Sequence, residues 1–169
     1  KKLPSSVLIL TLEEFFKWLI IIVALYKHVE FDDPYDGILY GASVSLGFAT
    51  VENILYLLNY GMGEAFLRAL LPVSSHALFG VVMGYYIGRA KFTSFKKIRL
   101  ELFFALIAPL FLHIIYNSIL TFTGLEILLM VPFMLFLWVF GLSKVKQAHI
   151  LSRRTRFEKH EYFIREDPN

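Results

Sequence analysis

The stretch IRLELFFALIAPLFLHIIYNSILTF, residues 98–122, decides the fold. A helix needs about 20 residues to cross the hydrocarbon core of a bilayer, and this run exceeds that with few interruptions: Arg99 and Glu101 near one end, His113 and Asn117 farther along. Comparable runs occupy about residues 7–27, 37–59, 64–88 and 125–142. The chain is 57% hydrophobic and 17% aromatic, with a mean hydropathy of +0.60. Soluble domains are about 45–50% apolar, and the excess here is gathered into runs. The expectation is an all-α polytopic transmembrane helix bundle of about five spans enclosing an intramembrane polar cavity. Residues 1–142 form the membrane domain, and residues 143–169, too polar for a sixth span, form a basic tail.

Cysteine is absent, which excludes disulfides, thiolate metal sites and a thiol nucleophile. The net charge of +3 does not point to nucleic acid, because the basic residues sit at the ends of apolar runs, where membrane topology explains them. Lys1-Lys2-Leu3-Pro4 leads into a run with two glutamates and no small-residue cleavage site, unlike a signal peptide. Turns are expected at Phe31-Asp32-Asp33-Pro34, Gly61-Met62-Gly63 and Thr123-Gly124.

Cytoplasmic loops collect Lys and Arg. Arg89, Lys91, Lys96, Lys97 and Arg99 lie between the third and fourth runs, and Lys144, Lys146, Arg153, Arg154, Arg156 and Lys159 fill the tail. The tail and the Lys91 loop are therefore expected inside, and the Gly61 and Gly124 turns outside. Lys1 and Lys2 oppose the resulting outside N-terminus, a conflict that a portion preceding Lys1 would resolve.

Glu13, Glu14, Glu52, His76 and His113 interrupt four of the runs. A carboxylate at the bilayer centre costs about 2.5–3.5 kcal/mol, so three facing lipid would cost on the order of 10 kcal/mol. They must meet one another, a metal or water. At about 1.5 Å rise per residue, Glu13, Glu14 and Glu52 lie roughly 10 Å below the outer ends of their helices, His113 roughly 13 Å and His76 roughly 18 Å. The shared depth favours one cavity opening outward.

Glu13 and Lys17 are spaced to pair on one helical face, with Glu14 about 100° away. Gly41, Ser45, Phe48 and Glu52 form a stripe that should face the bundle and bury Glu52. Gly80, Gly84 and Gly88 continue the stripe of His76 as a packing face. His113 and Asn117 share a face. Two histidines and a carboxylate are the ligands of His₂Glu hydrolytic zinc sites, which makes Glu52, His76 and His113 the candidate ligands and Glu13 or Glu14 the candidate general base. HExxH is absent. A metal-free alternative stays open, in which glutamate and histidine activate water while His113 and Asn117 stabilise the oxyanion. GxSxG, a Gly-rich phosphate loop and an adjacent Ser/Lys dyad on a span are missing.

EEFFK at 13–17, PYDGILYG at 34–41, GFATVEN at 47–53, His76 and HIIYN at 113–117 together resemble the PrsW family of intramembrane proteases, related to the CAAX-processing and bacteriocin-processing membrane peptidases. Glu52 stands where the CAAX branch has a histidine, which points to the PrsW branch. The resemblance implies an integral protein of a bacterial or archaeal cell membrane that cuts a membrane-anchored protein, in bacterial members an anti-sigma factor cut near its outer face. It makes Glu13, Glu14, His76, His113 and Asn117 the catalytic candidates. The expected partners are that substrate and the bilayer. A proton- or ion-coupled transporter is the competing reading, since intramembrane Glu and His also form proton relays; internal repeats and broken helices, common in transporters, are not evident in the sequence.

Overall fold

The computed structural model describes the backbone of residues 3–60, 62–122 and 124–166, and the side chains of residues 7–59, 71–122 and 124–157. The elements are α1 (Leu3–Ile20), continued by a π-helical turn (Ile21–Leu25), α2 (Asp36–Tyr60), α3 (Met62–Lys91), α4 (Phe95–Ile119) and α5 (Glu126–Glu166). No strand occurs among the described residues. Stretches long and apolar enough to cross a membrane lie in α2 (Asp36–Asn59), α4 (Phe95–Ile119) and α5 (Glu126–Phe157). The α1 helix carries Glu13, Glu14 and Lys17 within one span's length, and the side chains of residues 62–70 in α3 are outside the described set. Also outside it are Lys1, Lys2, Gly61, Thr123 and the Lys159 side chain, on which parts of the topology reading rest.

The ends of the helices follow local chemistry. At the start of α2, the Asp33 carboxylate accepts from the Tyr35 N–H at 2.9 Å, while the Asp36 carboxylate accepts from the Asp33 N–H at 2.8 Å. This reciprocal cap satisfies donors that a helix start leaves open, and Pro34 fits where no N–H is needed. The α4 helix starts at Phe95 after an extended Ser94, a turn earlier than hydropathy suggests, because Lys96, Lys97 and Arg99 are helical too. Gly124, at φ +87°, takes the left-handed turn into α5.

The central helix is α3, which packs on α2, α4 and α5. Its contact with α2 is glycine on glycine. A Cβ at Gly41 would lie 2.8 Å from the Gly84 Cα, and one at Gly84 would lie 2.6 Å from the Gly37 carbonyl carbon. Small residues let the backbones approach this closely. On the other side, Leu78, Phe79 and Val82 join Leu112, Tyr116, Met134 and Leu137 in a core shared with α4 and α5. Large apolar side chains such as Phe103, Phe111, Val131 and Val139 point outward, as a lipid-facing surface requires.

The stretch assigned to a tail behaves differently from its composition. The α5 helix runs unbroken through residue 142, and its continuation lies against the start of α2 and the end of α3. Ala148 is buried, His149 stacks on Tyr35 at 4.2 Å, and the Tyr85 hydroxyl donates to Gln147 at 2.7 Å. Ser152 and Arg156 both donate to the Asp33 carboxylate, Arg156 at 2.9 Å. Lys91 donates to the Tyr26 carbonyl at 2.7 Å, so the 26–35 loop, the end of α3 and the α5 continuation meet at one end of the bundle.

Candidate metal and catalytic site

The opposite half of the bundle holds the polar cluster. On α1, Lys17 follows Glu13 by four residues and Glu14 by three, and both spacings place side chains on neighbouring positions of one helix face. The Lys17 Nζ therefore reaches both carboxylates, Glu13 at 2.6 Å and Glu14 at 2.7 Å. This corrects the expectation that Glu14 points away from Lys17. Glu14 and Lys17 are fully buried, at 0% and 1% exposure, and the ammonium also lies 5.6 Å from the centre of the Phe48 ring.

Two helices deliver the histidines. His113 on α4 places Nδ1 2.8 Å from the Glu14 carboxylate. His76 on α3 places Nδ1 3.4 Å from Glu13 and 3.3 Å from the Lys17 Nζ, and Nε2 3.4 Å from Glu52. The two imidazoles stand 5.0 Å apart, nearly edge to face. Ser45 donates to the His76 carbonyl at 2.6 Å, tying this turn of α3 to α2. The backbone of α3 at His76 is thus fixed from the same seam that the glycines build.

Glu52 is placed differently from expectation. Its side chain is 47% exposed, not buried against a neighbour. The reason is that α2 and α4 leave space between them beyond the glycine seam. A cavity of about 200 Å³ fills that space, lined by Glu52, Asn53, His76, His113 and Asn117 with Tyr56 and Tyr116. Glu13 and Glu14 do not line this cavity; Glu13 instead borders, with Glu52, an apolar groove between α1 and α2. Asn117 donates to the His113 carbonyl at 3.3 Å, which leaves its second N–H for other partners.

One ligand atom each from Glu13, His76 and His113 lie within 4.8 Å of one another, close enough to share a metal ion. The donor chemistry, nitrogen and carboxylate oxygen, suits zinc and other divalent metals. A further observation agrees: Glu14 Oε2 is buried without a hydrogen-bond partner among the described residues. A buried acceptor left unsatisfied is expensive, and a cation or water would relieve it. The residues therefore fit a metal, with Glu13 rather than Glu52 grouped with the histidines by distance, and Glu52 beside the far nitrogen of His76. The sequence reading missed the central place of Lys17, for which the signal was the second spacing, three residues from Glu14. Tyr56 and Tyr116 carried no signal in the sequence beyond being aromatic.

A family model described as PrsW family intramembrane metalloprotease matches residues 4–141. A protein of Bacillus subtilis (strain 168) named Protease PrsW is 56% identical over 137 residues, which are 81% of this chain and 63% of that protein. Its namesake in Geobacillus kaustophilus is 56% identical over 81% of this chain and 60% of its own length. The one in Clostridioides difficile is 35% identical over 86% of this chain and 63% of its own length. The chain spans less than two-thirds of the length of these relatives. No solved structure matches.

Proposed function

The chain belongs to the PrsW family of intramembrane metalloproteases, and from that membership we propose that it carries the site that hydrolyses a peptide bond of a membrane-anchored protein. The observation that carries the reading is the meeting of Glu13 and Glu14 from α1 with His76 from α3 and His113 from α4, all within hydrogen-bond or ion-pair reach. A packed bundle brings two carboxylates and two imidazoles together at great desolvation cost. Hydrolysis uses that set.

His76, His113 and Glu13 would hold a zinc ion, with Glu52 as the other carboxylate within reach of His76. Bound there, zinc supplies Lewis-acid polarisation of the scissile carbonyl and lowers the pKa of water. The chain's own residues do the rest. Glu14 accepts from His113 Nδ1, which fixes the imidazole orientation and leaves Nε2 for a ligand. Of the carboxylates, Glu52 opens to the cavity and is not among the three ligands, so it takes a proton from the attacking water and passes it to the departing amine. Asn117, through its remaining N–H, faces the cavity where the oxyanion develops.

The orientation follows from charge. Lys91, Lys96, Lys97, Arg99, Lys144, Arg153 and Arg156 belong to one end, which the positive-inside rule makes cytoplasmic in a bacterial cell membrane. The continuation of α5 then lies on the cytoplasmic side, and the substrate is cut towards the outer half of the bilayer. An anti-sigma-factor-like protein with one membrane anchor is the substrate class in this reading.

The test is cleavage of a labelled single-span substrate by the purified, reconstituted protein, with the zinc content measured alongside. Cleavage that chelation stops and zinc restores supports the reading. Full activity in metal-free protein overturns the metal, and no cleavage by a folded, zinc-loaded protein overturns the protease reading. A cut mapped to the cytoplasmic half of the substrate overturns the orientation.

A further inference from the structure

Lys17 is the only cation among the described residues in contact with Glu13, Glu14 and His76 together, and nothing in the hydrolytic reading uses it. A buried lysine could be a simple neutraliser. Its position says more. Nζ sits 2.6 Å from Glu13, 2.7 Å from Glu14 and 3.3 Å from His76 Nδ1. Two of those three residues, Glu13 and His76, belong to the group whose ligand atoms lie within 4.8 Å of one another. The ammonium therefore already sits against the Glu13 carboxylate that a divalent ion would share with the two histidines.

We propose that Lys17 is the resident cation of this cluster: it holds the carboxylates and His76 together when no metal is bound, and a divalent metal binds in competition with it. The proposal rests on the metal reading of the same site. A fully buried Glu14 with a partly buried Glu13 beside it needs positive charge nearby. One ammonium offsets only half of their summed charge, and a divalent ion carries twice the charge of the ammonium. An ammonium and a metal ion cannot both be held tightly by the same oxygens, because like charges a few ångströms apart repel strongly at low dielectric. Lys17 thus makes the metal-free site foldable and limits how tightly the metal is held. The Phe48 ring, 5.6 Å from Nζ, offers the ammonium a second favourable face on the side of α2.

The experiment compares zinc binding and thermal unfolding of the detergent-solubilised chain with those of Lys17→Met and Lys17→Arg, each with chelator and with zinc. The expectation is that Lys17→Met binds zinc tighter by on the order of tenfold or more, and that its melting temperature rises more on zinc addition than that of the wild type. Lys17→Arg, which keeps the charge, should stay near the wild type. A lysine that only neutralises predicts the same loss of stability with and without zinc, and an equal zinc response in Lys17→Met and wild type overturns the proposal while leaving the metal reading intact. If neither protein binds zinc, both fall. Zinc binding by Lys17→Met alone supports the proposal. Should Lys17→Met fail to fold under both conditions, the same comparison is made in a Glu14→Gln background, where one buried carboxylate fewer needs a cation; a larger zinc response without Lys17 than with it supports the proposal, and an equal one overturns it.

Discussion

The seam between α2 and α3 and the seat of α1 on the bundle solve the same problem by opposite means. At the seam, Gly37, Gly41, Gly80 and Gly84 bring backbone against backbone with no charge involved. At the seat, α1 is held to α3 and α4 through Lys17, Glu13 and Glu14 meeting His76 and His113. The first contact has one geometry, because a closely packed interface has no slack. The second is made of long side chains whose contacts can be exchanged for others. A site that must take in water, a metal and a peptide is therefore built half on a fixed frame, which carries His76, and half on a helix held by exchangeable ionic contacts.

The largest expected effect is on chemistry. Glu13→Gln, Glu14→Gln and His76→Ala should each lower the rate of peptide cleavage by about 10²–10⁴-fold, the usual worth of a positioned acid or base, while the protein still folds and elutes as before. Normal cleavage by both glutamine variants would remove these carboxylates from the mechanism.

The seam is tested next. Gly84→Ala should cost stability at or above the upper part of the usual overpacking range of about 1–3 kcal/mol, since its Cβ would meet the Gly37 backbone and no rotamer relieves that. Thermal unfolding in detergent measures it. An unchanged melting temperature would mean that the two helices can part without loss, and the contrast with α1 would collapse.

A smaller effect is expected at the far end. Burial disfavours the Asp33 carboxylate, but donors from Ser152, the Tyr35 N–H and Arg156 outweigh it and hold the carboxyl below its usual range. A depressed folded pKa means that the contribution is complete above the unfolded value of 3.8 and fades as pH falls towards the folded one. Asp33→Ala should cost about 1–2 kcal/mol near neutral pH through the lost helix cap and its partners. The gap from wild type should narrow as the pH drops below about 4. A gap that stays constant from pH 7 to pH 3 would assign the loss to packing alone.

The smallest effect has the opposite sign. Gly47 lies on α2 like Gly41, yet a Cβ there meets nothing within 4 Å. Gly47→Ala should stabilise by about 0.5–1 kcal/mol through the lost freedom of the unfolded chain, where Gly41→Ala destabilises. If both variants shift the melting temperature alike, the seam does not end where the structure ends it.

The five runs of apolar residues determined the helices, because a backbone in lipid must satisfy its own hydrogen bonds and a helix does so within one segment. The glycine stripe on α3 and the Gly41–Ser45 stripe on α2 were legible for a related reason: a spacing of four lines up one helix face. The identities of Glu13, Glu14, His76 and His113 as site candidates were legible from the cost of burying each one alone. The sequence could not decide which carboxylate meets which imidazole. That depends on how α1 rotates against α3 and α4, which shows only in the contacts of Glu14 with His113 and of Glu13 and Lys17 with His76. It could not place Glu52 at the cavity mouth, because the exposure of a residue on α2 depends on the distance to α4. Nor could it dock the α5 continuation: residues 143–157 bury only a narrow face of Ala148 and Ser152 and hold on through Asp33, Tyr35 and Tyr85, partners more than 60 residues away that no local pattern announces.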